Sequence, residues 1–137
     1  MVDQNCAYCV EGDLVAKFGI KICELETSKV YLFKEQSHPG RCIVAHKKHV
    51  GDMNELTAEE RAAYFEDVAR VARAIMKAFN PDKVNYGAYG DTGHHLHFHL
   101  CPKYKDEFEW GGVFLMNPDK KYLSDEEYAD MIAKIKA

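Results

Sequence analysis

His95-Leu96-His97-Phe98-His99-Leu100-Cys101 is the stretch on which the reading of this chain turns. Imidazole and apolar side chains alternate strictly, and in a strand successive side chains point to opposite faces. His95, His97 and His99 therefore share one face, with neighbouring rings roughly 6–7 Å apart, two residues of strand rise. Leu96, Phe98 and Leu100 share the other face and are free to enter a core. Three titratable rings at that spacing form a cluster whose protons are placed by whatever lies beside them. Three readings follow: a catalytic cluster, ligands for zinc, copper or nickel, or a half-buried strand whose open face carries histidine. His94 belongs to the opposite face or to the preceding turn, and is set apart.

Working outward, Gly90-Asp91-Thr92-Gly93 reads as a tight turn between strands expected over 84–89 and 96–101. Upstream the period changes. Thr57 followed by Glu60 forms a capping box that opens a long helix, and Phe65, Val68, Ala72, Ile75 and Phe79 give it one apolar face. Asn80-Pro81 ends it, after roughly 33 Å at ~1.5 Å per residue. Earlier, strands are expected over 20–25, 30–33 and 41–45, the first two joined by Glu26-Thr27-Ser28-Lys29 and the third entered through His38-Pro39-Gly40. Ser124 with Glu127 caps a short C-terminal helix that turns Tyr128, Met131, Ile132 and Ile135 inward. The fold class is α+β: an antiparallel sheet of about five strands, one long helix and one short C-terminal one.

The 137 residues suit a single domain over 1–137, and 47% apolar with 29% charged residues is an ordinary globular balance. A net charge of −4 argues against a general nucleic-acid binder, which would carry a basic stripe, but not against a nucleotide held by a few local groups. The first eighteen residues lack a basic stretch followed by an apolar run, and no run of eighteen apolar residues occurs, so a cytoplasmic protein without a membrane span is expected. Five cysteines in such a chain favour reduced thiols or a metal site over a disulfide framework. Cys23 and Cys42 fall in expected strands as small core residues. Cys6-Ala7-Tyr8-Cys9 is a C-x-x-C pair open to three readings: a redox pair, half of a zinc site, or two unrelated thiols.

The alternating segment resembles the His-φ-His-φ-His-φ-φ signature of the histidine-triad (HIT) superfamily, with Cys101 in the last apolar slot and Pro102-Lys103 following. The stretch from His38 through Arg41 and His46 to His49 resembles the family's upstream turn, strand and Pro-Lys-x-His element. The long helix and the glycine turn come in the family's order. The likeness runs from Cys6 to Lys105. It departs from the pattern at Asp91, where asparagine is common, and at His46, where proline is usual.

This resemblance implies a HIT-like fold and a homodimeric enzyme acting on small-molecule nucleotides. His97 would be the nucleophile that attacks the α-phosphorus and forms a nucleotidyl-histidine. His99 would donate to a phosphate oxygen and help protonate the leaving group, with His95 beside them. Thr92 and the Gly93 backbone N–H would hold phosphate, Phe33 would touch the nucleobase, and Trp110 would bear on the leaving group or on the dimer contact. Cys6, Cys9, His49 and His95 would bind a structural zinc ion. The implied reaction is hydrolysis of a nucleotide phosphoanhydride, as in a dinucleoside polyphosphate hydrolase. The alternatives are a nucleoside phosphoramidase and a non-catalytic nucleotide- or zinc-binding module.

Overall fold

The computed structural model describes residues 4–137. Two short helices, α1 (Ala7–Val10) and α2 (Gly12–Ala16), lead into strands β1 (Gly19–Glu24), β2 (Ser28–Phe33) and β3 (Cys42–His46). A 3-10 turn at Met53–Glu55 precedes helix α3 (Ala58–Phe79), then strands β4 (Lys83–Gly87) and β5 (His97–Lys103), and finally helix α4 (Asp125–Lys136). The five strands form one sheet in the order β1-β2-β3-β5-β4, and every pairing is antiparallel. The fold class matches the expectation from sequence. Both capping boxes are formed, Thr57 with Glu60 and Ser124 with Glu127. No helix among the described residues is long and apolar enough to cross a membrane.

The sheet has two unlike faces. On one, Cys42, Val44, Leu96 and Leu100 pack against Tyr64, Val68, Val71, Ala72 and Ile75 of α3 and Tyr128 and Ile135 of α4. Phe79, Met131 and Ile132 pack at its margin, as their spacing predicts, whereas Phe65 lies at the rim, 37% exposed, with its ring edge-on to Phe98. On the other face a smaller cluster of Tyr31, Phe33, Ile43 and Ala45 is covered by Tyr8 and Val15 from α1 and α2. Register makes this second face the histidine face: β3 and β5 pair Ala45 with His97 and Ile43 with His99.

Buried polar groups fasten the ends. Asp67 of α3 accepts from Thr27 N (2.9 Å), Thr27 Oγ1 (2.8 Å) and Ser28 Oγ (2.8 Å), which pins the β1–β2 turn to the helix. Glu35 accepts from Ser37 N and Oγ and from the Lys120 and Lys121 backbone N–H groups, all within 2.9 Å. Those bonds hold the irregular segment after β5 against the sheet and keep the Glu35 carboxyl below the usual carboxylate range against the opposing effect of burial.

Three expectations are revised. The N-terminal residues form α1 and α2, which no periodicity announced, because helices of four and five residues are too short to show a repeat. The connection from Gly87 to His97 is an irregular loop of nine residues rather than a tight turn, so only part of it is the glycine segment. The regular part of β5 begins at His97, one residue later than expected, and runs on to Lys103, with His95 and Leu96 in the approach to it.

Candidate active site

A cavity of about 600 Å³ opens on the histidine face. His95, His97 and His99 all line it, together with Thr92 and Gly93 from the loop before β5 and Phe33 from β2. The positions expected to hold nucleotide phosphate and base thus meet in one place. A Cβ on Gly93 would stand 3.8 Å from His97 Cε1, so this loop backs directly onto the middle histidine. Phe33 sets its ring edge-on to His99 at 5.5 Å. Trp110 is elsewhere: 43% exposed, it borders a separate cleft with Lys83, Asn85 and Lys103. His94 lines the cavity mouth, exposed, with its ring 6.2 Å from His49.

Each triad ring has a different neighbour, and the neighbour decides where its proton sits. His97 Nδ1 lies 2.7 Å from the His95 carbonyl oxygen. A carbonyl only accepts, so Nδ1 carries the proton and the lone pair is left on Nε2. Burial holds His97 below the ordinary histidine range, which keeps that lone pair unprotonated near neutral pH. The Tyr8 ring, 5.0 Å away, supplies much of the cover.

His95 has the opposite arrangement. Its Nε2 lies 2.6 Å from the His46 carbonyl oxygen, so the lone pair is on Nδ1. That Nδ1 stands 3.2 Å from Cys6 Sγ, 3.6 Å from Cys9 Sγ and 3.1 Å from His49 Nδ1, and Cys9 Sγ is 3.3 Å from His49 Nδ1. All four ligand atoms fall within 4.8 Å of one another. A tetrahedral zinc ion with ligands at ~2.0–2.3 Å spaces them roughly 3.3–3.8 Å apart, so the set fits such an ion, with a carbonyl behind one imidazole to orient it. Burial first, then the neighbouring histidines, push His95 down to about 4, which favours the neutral ring that a metal requires.

His99 is held by neither a carbonyl nor a thiol. Arg41 Nη2 lies 3.1 Å from its Nδ1. Burial, then the Arg41 charge, then His97 bring His99 down to about 2, so the ring is neutral. A neutral imidazole N–H gives a hydrogen bond but is too weak an acid to release its proton near pH 7. A His99 ring held neutral in this way is suited to donating a hydrogen bond rather than to releasing its proton. Arg41 was read in the sequence only as the first residue of a strand. A basic residue after a turn glycine carries no signal that it is buried, and Arg41 is the group that sequence reasoning missed. Tyr89, Met116 and Asn117 also line the cavity without having been foreseen.

The comparisons with known proteins agree with this geometry. The model of the HIT domain matches residues 19–106, more than half of the chain. Protein hit of Bacillus subtilis (strain 168) is 29% identical over 139 residues, covering 96% of this chain and 94% of its own length. Adenosine 5'-monophosphoramidase hnt1 of Schizosaccharomyces pombe is 28% identical, covering 78% and 80%, and a bis(5'-adenosyl)-triphosphatase of Dictyostelium discoideum is 29% identical, covering 68% and 65%. Among solved structures, a histidine triad protein of Sinorhizobium meliloti 1021 superimposes with a TM-score of 0.83 at 23% identity, covering 91% and 93%. A Zn-bound histidine triad family protein of Mycobacterium smegmatis gives 0.68 at 22% identity, covering 96% and 93%. With the alternating histidines on one face of β5 and the domain matched across the sheet that carries them, this chain belongs to the HIT-domain family.

Proposed function

We propose that this protein is a nucleotide hydrolase that cleaves a phosphoanhydride or phosphoramidate bond at the α-phosphate through a nucleotidyl-His97 intermediate. The observation that carries the reading is the 2.7 Å bond from His97 Nδ1 to the His95 carbonyl, which leaves an Nε2 lone pair on a ring that lines the cavity. His97 Nε2 attacks phosphorus, and the bond to the leaving group breaks with its electron pair going to that group, which takes a proton from water. The His95 carbonyl stabilises the imidazolium character of the adduct. A second water then attacks phosphorus, loses its proton, and the P–N bond breaks to restore the lone pair. His99, Thr92 and the Gly93 N–H would donate to phosphate oxygens, and Phe33 would offer an apolar wall to the base, a reading supported by all four lining one cavity.

A relative named as a phosphoramidase and another named as a dinucleoside triphosphatase match at similar identity, so both leaving-group classes belong in the test. Turnover of adenosine 5'-phosphoramidate and of a diadenosine polyphosphate should be measured with the wild type and with His97→Gln. Cleavage of either, lost in the variant, with alkali-stable, acid-labile nucleotide label trapped on the wild-type protein in the first milliseconds, is the expected result. Activity that survives His97→Gln would overturn the reading, and a wild type that turns over neither substrate would leave a nucleotide-binding module.

Cys6, Cys9, His49 and His95 would hold zinc, in keeping with their mutual spacing and with the zinc-bound family member of like fold. A closed Cys₂His₂ set leaves no position for substrate, so the ion would serve as a cross-link between the N-terminal segment and His95. Metal analysis of protein purified without added metal should give about one zinc per chain. The protein is further proposed to be a homodimer joined along β4, a sheet edge where Tyr86 is 52% exposed beside Phe65 and Phe98, and Trp110 would then bear on the partner. Sedimentation at micromolar concentration should give twice the mass of one 15.7 kDa chain.

A further inference from the structure

Arg41 is 0% exposed, yet among the described residues no carboxylate lies within ion-pair distance of it. Taking a cation out of water without a counter-charge is costly, and such a charge persists only where neutral groups solvate it well. Here Nη1 donates to the Leu115 carbonyl (3.1 Å) and Nη2 to the Met116 carbonyl (2.8 Å), while the guanidinium carbon sits 4.2 Å over the Phe33 ring and 4.9 Å from the Phe114 ring centre. Nη2 also lies 3.1 Å from His99 Nδ1 and 3.8 Å from Met116 Sδ. Gly40, at φ 95°, makes the turn that delivers this side chain, and a Cβ there would come within 2.6 Å of the Phe79 ring.

A guanidinium has five N–H donors and no acceptor. Its bond to His99 exists only if Nδ1 supplies the lone pair, and the ring proton must then sit on Nε2. We propose that Arg41 is a positioning residue that locks His99 as the neutral, Nε2-protonated tautomer, so that the ring presents an N–H donor to a substrate phosphate while a fixed positive charge stands behind it. The same guanidinium couples that donor to the segment after β5, because the carbonyls that share it belong to Leu115 and Met116, and Met116 lines the cavity. His97 and His99 thereby present opposite faces to one phosphate: a lone pair from the first and a proton from the second, set respectively by a carbonyl and by a cation at the same ring position, Nδ1. The other groups facing His99 are the rings of His97 at 5.3 Å, Tyr89 at 6.5 Å, and the uncharged Phe33 and Phe114. Cys101, Glu35, Glu109 and Tyr89 act on Arg41 electrostatically.

The inference rests on the catalytic reading above for its consequence, but the tautomer itself is measurable in substrate-free protein, so the two fail separately. In ¹⁵N-histidine-labelled full-length protein, the nitrogen shifts and couplings of His99 should report an Nε2–H ring that does not take up a proton from pH 8 down to pH 5. Arg41→Met, which removes charge and donor, should let His99 mix tautomers and titrate, and should lower kcat on adenosine 5'-phosphoramidate by roughly 10- to 100-fold with a smaller change in KM. Arg41→Lys, which keeps both, should restore the Nε2–H signature and most of kcat. A wild-type His99 that carries its proton on Nδ1, or that titrates between pH 5 and 8, would overturn the proposal whether or not any variant folds. So would an Arg41→Met protein whose His99 signals and kcat match the wild type.

Discussion

His95 and His99 stand at the two ends of one histidine row, both buried, both kept neutral, and built by opposite means. At His95 a carbonyl takes the Nε2 proton and the Nδ1 lone pair turns toward two thiols and a second imidazole. At His99 a permanent cation takes the Nδ1 lone pair and leaves Nε2 to donate. In the proposed reading one end would give a lone pair to a metal and the other a hydrogen bond to an anion. Residue type and strand position do not distinguish them, since the segment is uniform in sequence. The difference comes from what β3 and its flanking residues Arg41 and His49, the segment after β5 and the N-terminal segment bring alongside.

The contrast can be broken from the middle outward. His97→Gln, replacing the ring between the two ends, should cost about 10³-fold or more in kcat, with zinc content and the His99 tautomer intact. Loss of zinc in that variant would show that the ends are not independent. Next in size, Cys6→Ser combined with Cys9→Ser should abolish zinc retention and lower stability by roughly 2–5 kcal/mol in denaturant titration. It should leave the Arg41–His99 signature unchanged, and metal content equal to wild type would remove the zinc assignment.

A smaller effect separates the ends by pH. His99 falls from an ordinary 6.5 to about 2 in the folded protein. The unfolded chain takes up this proton below 6.5 and the folded one does not, so the contribution is fully present above pH 6.5 and drains away as the pH falls toward 2. From pH 6.5 to pH 5 that amounts to up to about 2 kcal/mol, which His99→Gln should remove from the pH dependence of chemical denaturation. The smallest change lies remote from both ends. Thr57→Ala should cost about 1 kcal/mol through the lost cap on α3, with both histidine signatures unmoved.

Where the sequence was informative, a single local rule was at work. Period-two alternation marked the two faces of β5, and Thr57 with Glu60 and Ser124 with Glu127 marked the helix starts, because each is settled within a few residues. The Cys₂His₂ cluster was reached only through family resemblance, since Cys6 and His95 are 89 residues apart in sequence. The part Arg41 plays could not be read: it depends on Leu115 and Met116 carbonyls more than seventy residues away and on the rings of Phe33 and Phe114. The loop before β5 looked like a hairpin turn because glycine marks a turn without marking its length.

The pairing of Ala45 with His97 across β3 and β5 has one more consequence. Were β5 to slip by a single residue, every side chain would change faces. Phe98 would then stand in the cavity and His97 in the hydrocarbon interior. Such a molecule would not be a poor enzyme but none at all, holding three imidazoles against an apolar helix. Residual activity in a damaged preparation therefore counts correctly assembled molecules, much as a switch reports on or off, and does not grade how well each one is made.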